Sequence, residues 1–154
     1  MAWGMLALGL LGGCQKTTEV APAPVPVKRE MQVTINGQRY VWPCRAGLTN
    51  ISREFQEIVG GDPAGQMGLI VTFVEQSSST YTSPKPFLAR RGFITLNGVK
   101  YSISGISNNL GRTSWMQGEL LTDKQANTFS GTFRGEDSDA RVLIEDGTFT
   151  TVIN

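Results

Sequence analysis

The chain has 154 residues with 14 Lys+Arg against 13 Asp+Glu, no histidine and two cysteines. That length suits one ordinary domain. The near-zero net charge argues against a nucleic-acid binder, which needs a basic excess to neutralise phosphates. Without histidine there is no imidazole base near neutral pH and no His-containing metal site, and two cysteines cannot form a disulfide framework.

Residues 1–13 (MAWGMLALGLLGG) carry no charged side chain and end in small residues. This pattern is that of a secretory signal, since a bilayer span takes roughly 20 apolar residues. The junction Leu11-Gly12-Gly13-Cys14 resembles the lipobox of bacterial lipoproteins. The resemblance implies cleavage before Cys14 and a thioether-linked diacylglycerol on its sulfur, with a further acyl chain such as palmitate on its amine. Two or more acyl chains, at about 0.8 kcal/mol per buried methylene, give stable anchoring. By the same resemblance, Gln15 in second place of the mature chain, rather than aspartate, points to the outer membrane.

Residues 14–30 form the lipidated N-terminus and a linker with prolines at 22, 24 and 26. Proline fixes φ and removes backbone donors, so an extended spacer is expected, reaching on the order of 45 Å at ~3.1 Å per residue. Lys28 and Arg29 end it as a small solvated pair of charges.

Residues 31–154 read as a β-rich globular domain. Asn36-Gly37 separates the runs 33–35 and 39–42, and Asn97-Gly98 separates 94–96 and 100–103. Asn-Gly favours a type I′ turn, because both central residues need positive φ, and that twist suits a hairpin. Asp146-Gly147, between 142–144 and 149–152, gives a third hairpin signal. Further strands are expected over 69–75, 113–121 and 128–134. One helix is expected: Asn50 as its cap, Ile51, Phe55, Ile58 and Val59 as its apolar stripe, and Gly60-Gly61-Asp62-Pro63 as its stop. The Asn-Gly segments VTINGQRYVW and ITLNGVKYSI match in register, as duplication or shared hairpin chemistry would produce. A small antiparallel β-barrel or sandwich with one short α-helix would shelter the strand edges.

The motifs that could carry chemistry are incomplete. Gly60–Gln66 spaces glycines like a phosphate loop but lacks the Lys-Ser/Thr pair. Glu136, Asp137, Ser138 and Asp139 offer oxygens to calcium, yet Asp and Ser also build turns, and a hairpin turn is favoured. No G-x-S-x-G or S-x-x-K motif is present. Cys44 lies beside Arg45; it is either a small buried hydrophobe or the donor of an intermolecular disulfide. No catalytic residue, metal or cofactor is assigned.

Partner-binding candidates are Tyr40 and Trp42 on one strand face, Trp115 beside Gln117 and Glu119, and the positive pair Arg90-Arg91 after the Ser/Thr-rich loop 76–86. Aromatics next to polar groups suit sugars or protein partners, while alternating aromatics in a small domain also serve as core. At the C-terminal end, Phe129-Ser130-Gly131-Thr132-Phe133-Arg134-Gly135 and Gly147-Thr148-Phe149 resemble strand phrases of transferrin-binding-type surface lipoprotein barrels. The expected function is therefore a membrane-anchored, non-enzymatic envelope lipoprotein that binds or assembles with a macromolecular partner, an envelope protein or peptidoglycan. The alternative is a barrel holding a small apolar or glycan ligand.

Overall fold

Asn36 and Gly37 take φ of 50° and 79°, and Asn97 and Gly98 take 51° and 78°. These two-residue turns join β1 (Glu30–Ile35) to β2 (Gln38–Gly47) and β5 (Phe87–Leu96) to β6 (Val99–Ser104). The computed structural model describes residues 26–47, 55–75, 87–104 and 113–153. The remaining strands are β3 (Phe55–Gly61), β4 (Met67–Glu75), β7 (Ser114–Asp123), β8 (Thr128–Asp137) and β9 (Val142–Val152).

All pairings are antiparallel. The sheet order is β4-β3-β2-β1-β9-β8-β7-β5-β6, and β4 also pairs with β5. Eight strands thus close into a ring, and β6 stands outside it, joined to β5. Closure leaves the ring without a through-going free edge, which is what a β-rich domain needs to avoid edge-to-edge association.

Alternation decides what faces inward. Met31, Val33 and Ile35 on β1, Trp42, Cys44 and Ala46 on β2, and Leu69, Val71 and Phe73 on β4 are all buried. Phe73 and Phe149 meet with ring centroids 5.4 Å apart. Their strands, β4 and β9, lie four steps apart in the eight-membered ring, so this contact spans the barrel. Glycines make room for the rings. A Cβ on Gly147 would lie 2.3 Å from Phe133 Cε2, and one on Gly131 would lie 2.8 Å from Phe149 Cζ. Phe133 pairs across strands with Gly118 and Gly147, and Gly131 pairs with Phe149. The spaced Phe133 and Phe149 and the glycines Gly118, Gly131 and Gly147 are therefore a packing code: these two rings cover the backbone left bare by facing glycines.

Two local expectations are corrected. The helix over 51–59 does not form: Phe55, Ile58 and Val59 belong to β3, which pairs with β2 on one side and β4 on the other. Asn50 and Ile51 lie outside the described residues. Ile58 and Gly60 face in while Phe55, Glu57 and Val59 face out, and β-branched residues with two flanking ladders favour the strand over a short helix. The Asp146-Gly147 hairpin is also absent, because β9 runs through it. Asp146 has φ 47°, and the register slips against both neighbours: Phe133↔Gly147 is followed by Gly135↔Ile144, and Gln32↔Thr148 by Thr34↔Glu145. The left-handed residue serves a β-bulge instead of a reversal. Its effect is to turn both Glu145 and Asp146 outward while Ile144 and Gly147 stay inside.

The strands expected over 69–75, 113–121 and 128–134 are present with slightly wider bounds. The acidic stretch at 136–139 closes the β8–β9 turn: the Asp137 carboxylate accepts from the Ala140 N–H at 2.8 Å and from the Ser114 hydroxyl at 2.8 Å.

Candidate binding surfaces on the barrel wall

Tyr40 and Trp42 do share a face, with ring centroids 5.1 Å apart, but that face is the interior. Trp42 is 5% exposed and Tyr40 half-buried against the core. Trp42 is thus removed from the partner-binding candidates, because its ring is already covered by the barrel.

Trp115 is placed differently. Its neighbour Met116 is buried, as is Leu120 further along β7, so Trp115, Gln117 and Glu119 point outward together. The Trp115 ring is half-buried, and its Nε1–H donates to Glu136 Oε2 at 3.2 Å. The Arg134 guanidinium lies 5.9 Å from the ring centroid and donates through Nη2 to Gln117 Oε1 at 3.1 Å. This makes an ordered aromatic and polar patch across β7 and β8, with the mixed chemistry common at recognition surfaces. Neither Glu136, which the sequence offers as a turn or calcium residue, nor Arg134 is among the partner-binding candidates above. Register would have found them, since Trp115 pairs with Glu136 and Gln117 with Arg134.

Arg90 and Arg91 occupy a second bulge. Thr72 pairs with Arg91 but Phe73 pairs with Ala89, so Arg90 is the extra residue. Both arginines are exposed while Ala89 and Gly92 face in. Arg91 lies 5.9 Å from the Phe55 ring centroid. The two bulges thus display opposite charges on different sides of the barrel: arginines on β5, carboxylates on β9. Among the described residues no hydrogen bond, ion pair or ring contact joins Arg90 or Arg91 to Trp115, Gln117, Arg134 or Glu136.

Cys44 is a free thiol, 5% exposed, whose Sγ donates to the Thr150 carbonyl at 3.3 Å. Burial pushes its pKa up to about 11, against smaller lowering contributions from Thr150 and Thr151. A protonated, covered thiol is a poor partner for exchange, so the intermolecular-disulfide reading gives way to a packed interior cysteine. Cys14 lies outside the described residues.

Open grooves mark the outer wall. One lies over the facing pair Gly61 and Gly68, which exposes bare backbone between Val59, Ile70 and Pro63. Another runs across β7, β8 and β9 beside Gln117, Thr132, Arg134 and Thr148. Among the described residues no group of three or more Cys, Asp or Glu side chains is arranged to hold a metal ion. The chain matches no protein-family model, no curated protein and no solved structure.

Proposed function

We propose that the chain is a bacterial envelope lipoprotein, anchored to the outer membrane through Cys14, whose barrel is a non-enzymatic binding or assembly module for a macromolecular partner. The partner class is an envelope protein or peptidoglycan. The observation that carries this reading over the small-ligand alternative is the Phe73–Phe149 contact. A lipid- or glycan-holding barrel keeps a lined cavity at its centre, and here two rings meet across that centre. Recognition is left to the outer wall, where the Trp115 patch is ordered in advance by Glu136, Arg134 and Gln117.

Topology supports the tethered arrangement. Residues 26–29 lead into β1 at the barrel end where β2, β4, β7 and β9 also finish. The opposite end carries the tight turns at 36–37, 62–66, 97–98 and 138–141. A spacer entering at one end leaves the wall and the tight-turn end free to meet a partner.

Two measurements test the reading. Cys14→Ser should release the protein from the membrane fraction with its domain still folded; retention in that fraction counts against acylation. Crosslinking in the native envelope, read by mass spectrometry, should recover a partner, with Trp115→Ala lowering recovery about tenfold or more, as expected for an interface aromatic, and Tm unchanged within about 3 °C. Equal recovery from Trp115→Ala would move the interface off β7–β8.

A further inference from the structure

We propose that β6 is a docking edge for an extended, acidic segment of a partner protein, which adds to it as a further strand. The proposal rests on the binding-module reading and narrows it to the chemistry of one contact.

Backbone phase supplies the first argument. The two-residue turn Asn97-Gly98 makes Leu96↔Val99 a hydrogen-bonded pair, and such pairs alternate along an antiparallel ladder. Val99, Tyr101 and Ile103 therefore bond to β5, whereas Lys100, Ser102 and Ser104 aim their N–H and C=O groups away from it. One contact verifies the phase: the Ser104 N–H donates to Ser114 Oγ at 3.1 Å. Lys100 and Ser102 are exposed, and among the described residues β6 pairs with β5 alone. These groups form a short template for strand addition. With the Ser104 N–H already taken by Ser114, it spans about three residues, Lys100 to Ser102, at ~3.3 Å each.

The corresponding stretch of β2 is interrupted by a proline, and its cation is already engaged, since Arg39 donates to Gln32. The β2 ladder with β3 covers only Cys44 to Gly47, so among the described residues Arg39, Val41 and Pro43 face away from β1 without a partner strand. Proline has no N–H, and Pro43 interrupts that edge in the way natural sheets blunt theirs. β6 carries no proline, and among the described residues its one covered edge N–H is that of Ser104.

Charge selects the occupant. Lys100 is exposed on the outer face of β6, and Arg91, exposed on β5, stands opposite Ser104. Neither takes part in an ion pair among the described residues, where the pair found joins Lys28 to Glu30. The Lys100 ammonium rests 4.2 Å from the Phe93 ring centroid, which holds it over the wall beside the open edge. A second copy offering its own β6 would bring like charges together, the usual purpose of an edge lysine. An incoming strand with carboxylates at alternate positions would pair its backbone with Lys100 and Ser102 and its acids with Lys100 and Arg91.

The test uses the full acylated chain in detergent micelles and a fluorescein-labelled seven-residue peptide alternating valine and aspartate. Saturable anisotropy is expected, together with a tenfold or greater slowing of hydrogen exchange at the Lys100 and Ser102 amides. Lysine in place of aspartate, or N-methylation of alternate peptide amides, should each weaken binding at least tenfold. The second probe leaves the protein unaltered. Ser102→Pro should match it, and Lys100→Glu should reverse the preference between the two peptides. No saturable binding, undiminished binding of the N-methylated peptide, or protection at strands other than β6 would each overturn the proposal. So would concentration-dependent protection of β6 without peptide, which would assign the edge to a second copy. If envelope crosslinking recovers a partner indifferent to Ser102→Pro and Lys100→Glu, this edge is ruled out while the binding-module reading stands.

Discussion

The β1–β2 and β5–β6 hairpins carry the same phrase and fold the same way locally. Thr34 pairs with Arg39 and Val33 with Tyr40 in one; Thr95 pairs with Lys100 and Ile94 with Tyr101 in the other. Their fates in the barrel differ. Both strands of the first belong to the closed ring, whereas the second contributes only β5, and β6 lies outside. Turn chemistry thus determines a register but not what lies beyond the hairpin's outer edge. That is decided by which distant strand arrives, here β3 beside β2 and, for β5, a β7 that pairs only at Phe87 and Leu88. The different use of the two hairpins also argues against reading their likeness as a duplicated half-domain.

The comparison can be broken at the turns and at the buried ends. The largest effect is expected for Trp42→Ala. It removes a large ring buried within the ring-forming hairpin, at a cost of about 3–5 kcal/mol, and Tm should fall by on the order of 10 °C or more in a thermal melt. A fall of only about 2 °C would mean that the ring is not core. Next come the two turn asparagines. Asn36 accepts from the Leu143 N–H at 2.8 Å and donates to the Arg141 carbonyl at 3.0 Å, so it ties its turn to the β8–β9 turn. Asn97 makes no comparable side-chain bond to a described residue. Asn36→Ala should cost about 3 kcal/mol, combining ~1–2 for a non-glycine at positive φ with about 1 per lost bond. Asn97→Ala should cost only the strain, about 1–2 kcal/mol. Equal losses in urea titrations would erase the distinction between the turns.

The same contrast explains what the sequence discloses and what it hides. Asn-Gly, the alternation around it and the spaced Phe and Gly of 129–149 are local signals, and they are legible as hairpins and strands of a small barrel. Ile51, Phe55, Ile58 and Val59 mislead because four apolar residues at helical spacing say nothing about the two ladders waiting on either side of β3. Asp146 misleads for a subtler reason: positive φ is shared by a reversal and a bulge, and only the continuous pairing of β9 with β1 and β8 selects the bulge. Among the surface candidates, Trp115 is legible but its partners Glu136 and Arg134 require the β7–β8 register. That β6 pairs with β5 alone among the described residues is invisible in sequence, since VKYSIS reads no differently from a strand with two neighbours.

The first hairpin also runs on to Cys44, and this sharpens the contrast by titration. Its thiol is raised to about 11 by burial, against about 8.5 in an unfolded chain. The neutral form is therefore favoured by folding. Its contribution is present below about pH 8.5 and is lost as pH climbs toward 11, because the unfolded chain releases its proton first. The native protein should resist iodoacetamide at pH 8 and react after denaturation. Stability should decline between about pH 9 and 11 more steeply than in Cys44→Ala, which has no thiol to ionise. Parallel alkaline profiles would mean that the thiol is not secluded.

The smallest effects belong to the matched cations Arg39 and Lys100, which separate side-chain anchoring from edge exposure. Arg39 donates through Nη2 to Gln32 Oε1, a neutral acceptor on the paired strand. Lys100 instead lies over the Phe93 ring of β5. Each alanine variant should cost less than about 1 kcal/mol, the range for exposed polar and cation–π contacts. Lys100→Met keeps the stem over Phe93 while removing the charge. If the ammonium itself is held by the ring, it should recover only part of the loss caused by Lys100→Ala. Full recovery would assign the contact to the aliphatic stem and leave the ammonium free in solvent, unplaced for an acidic strand arriving at β6.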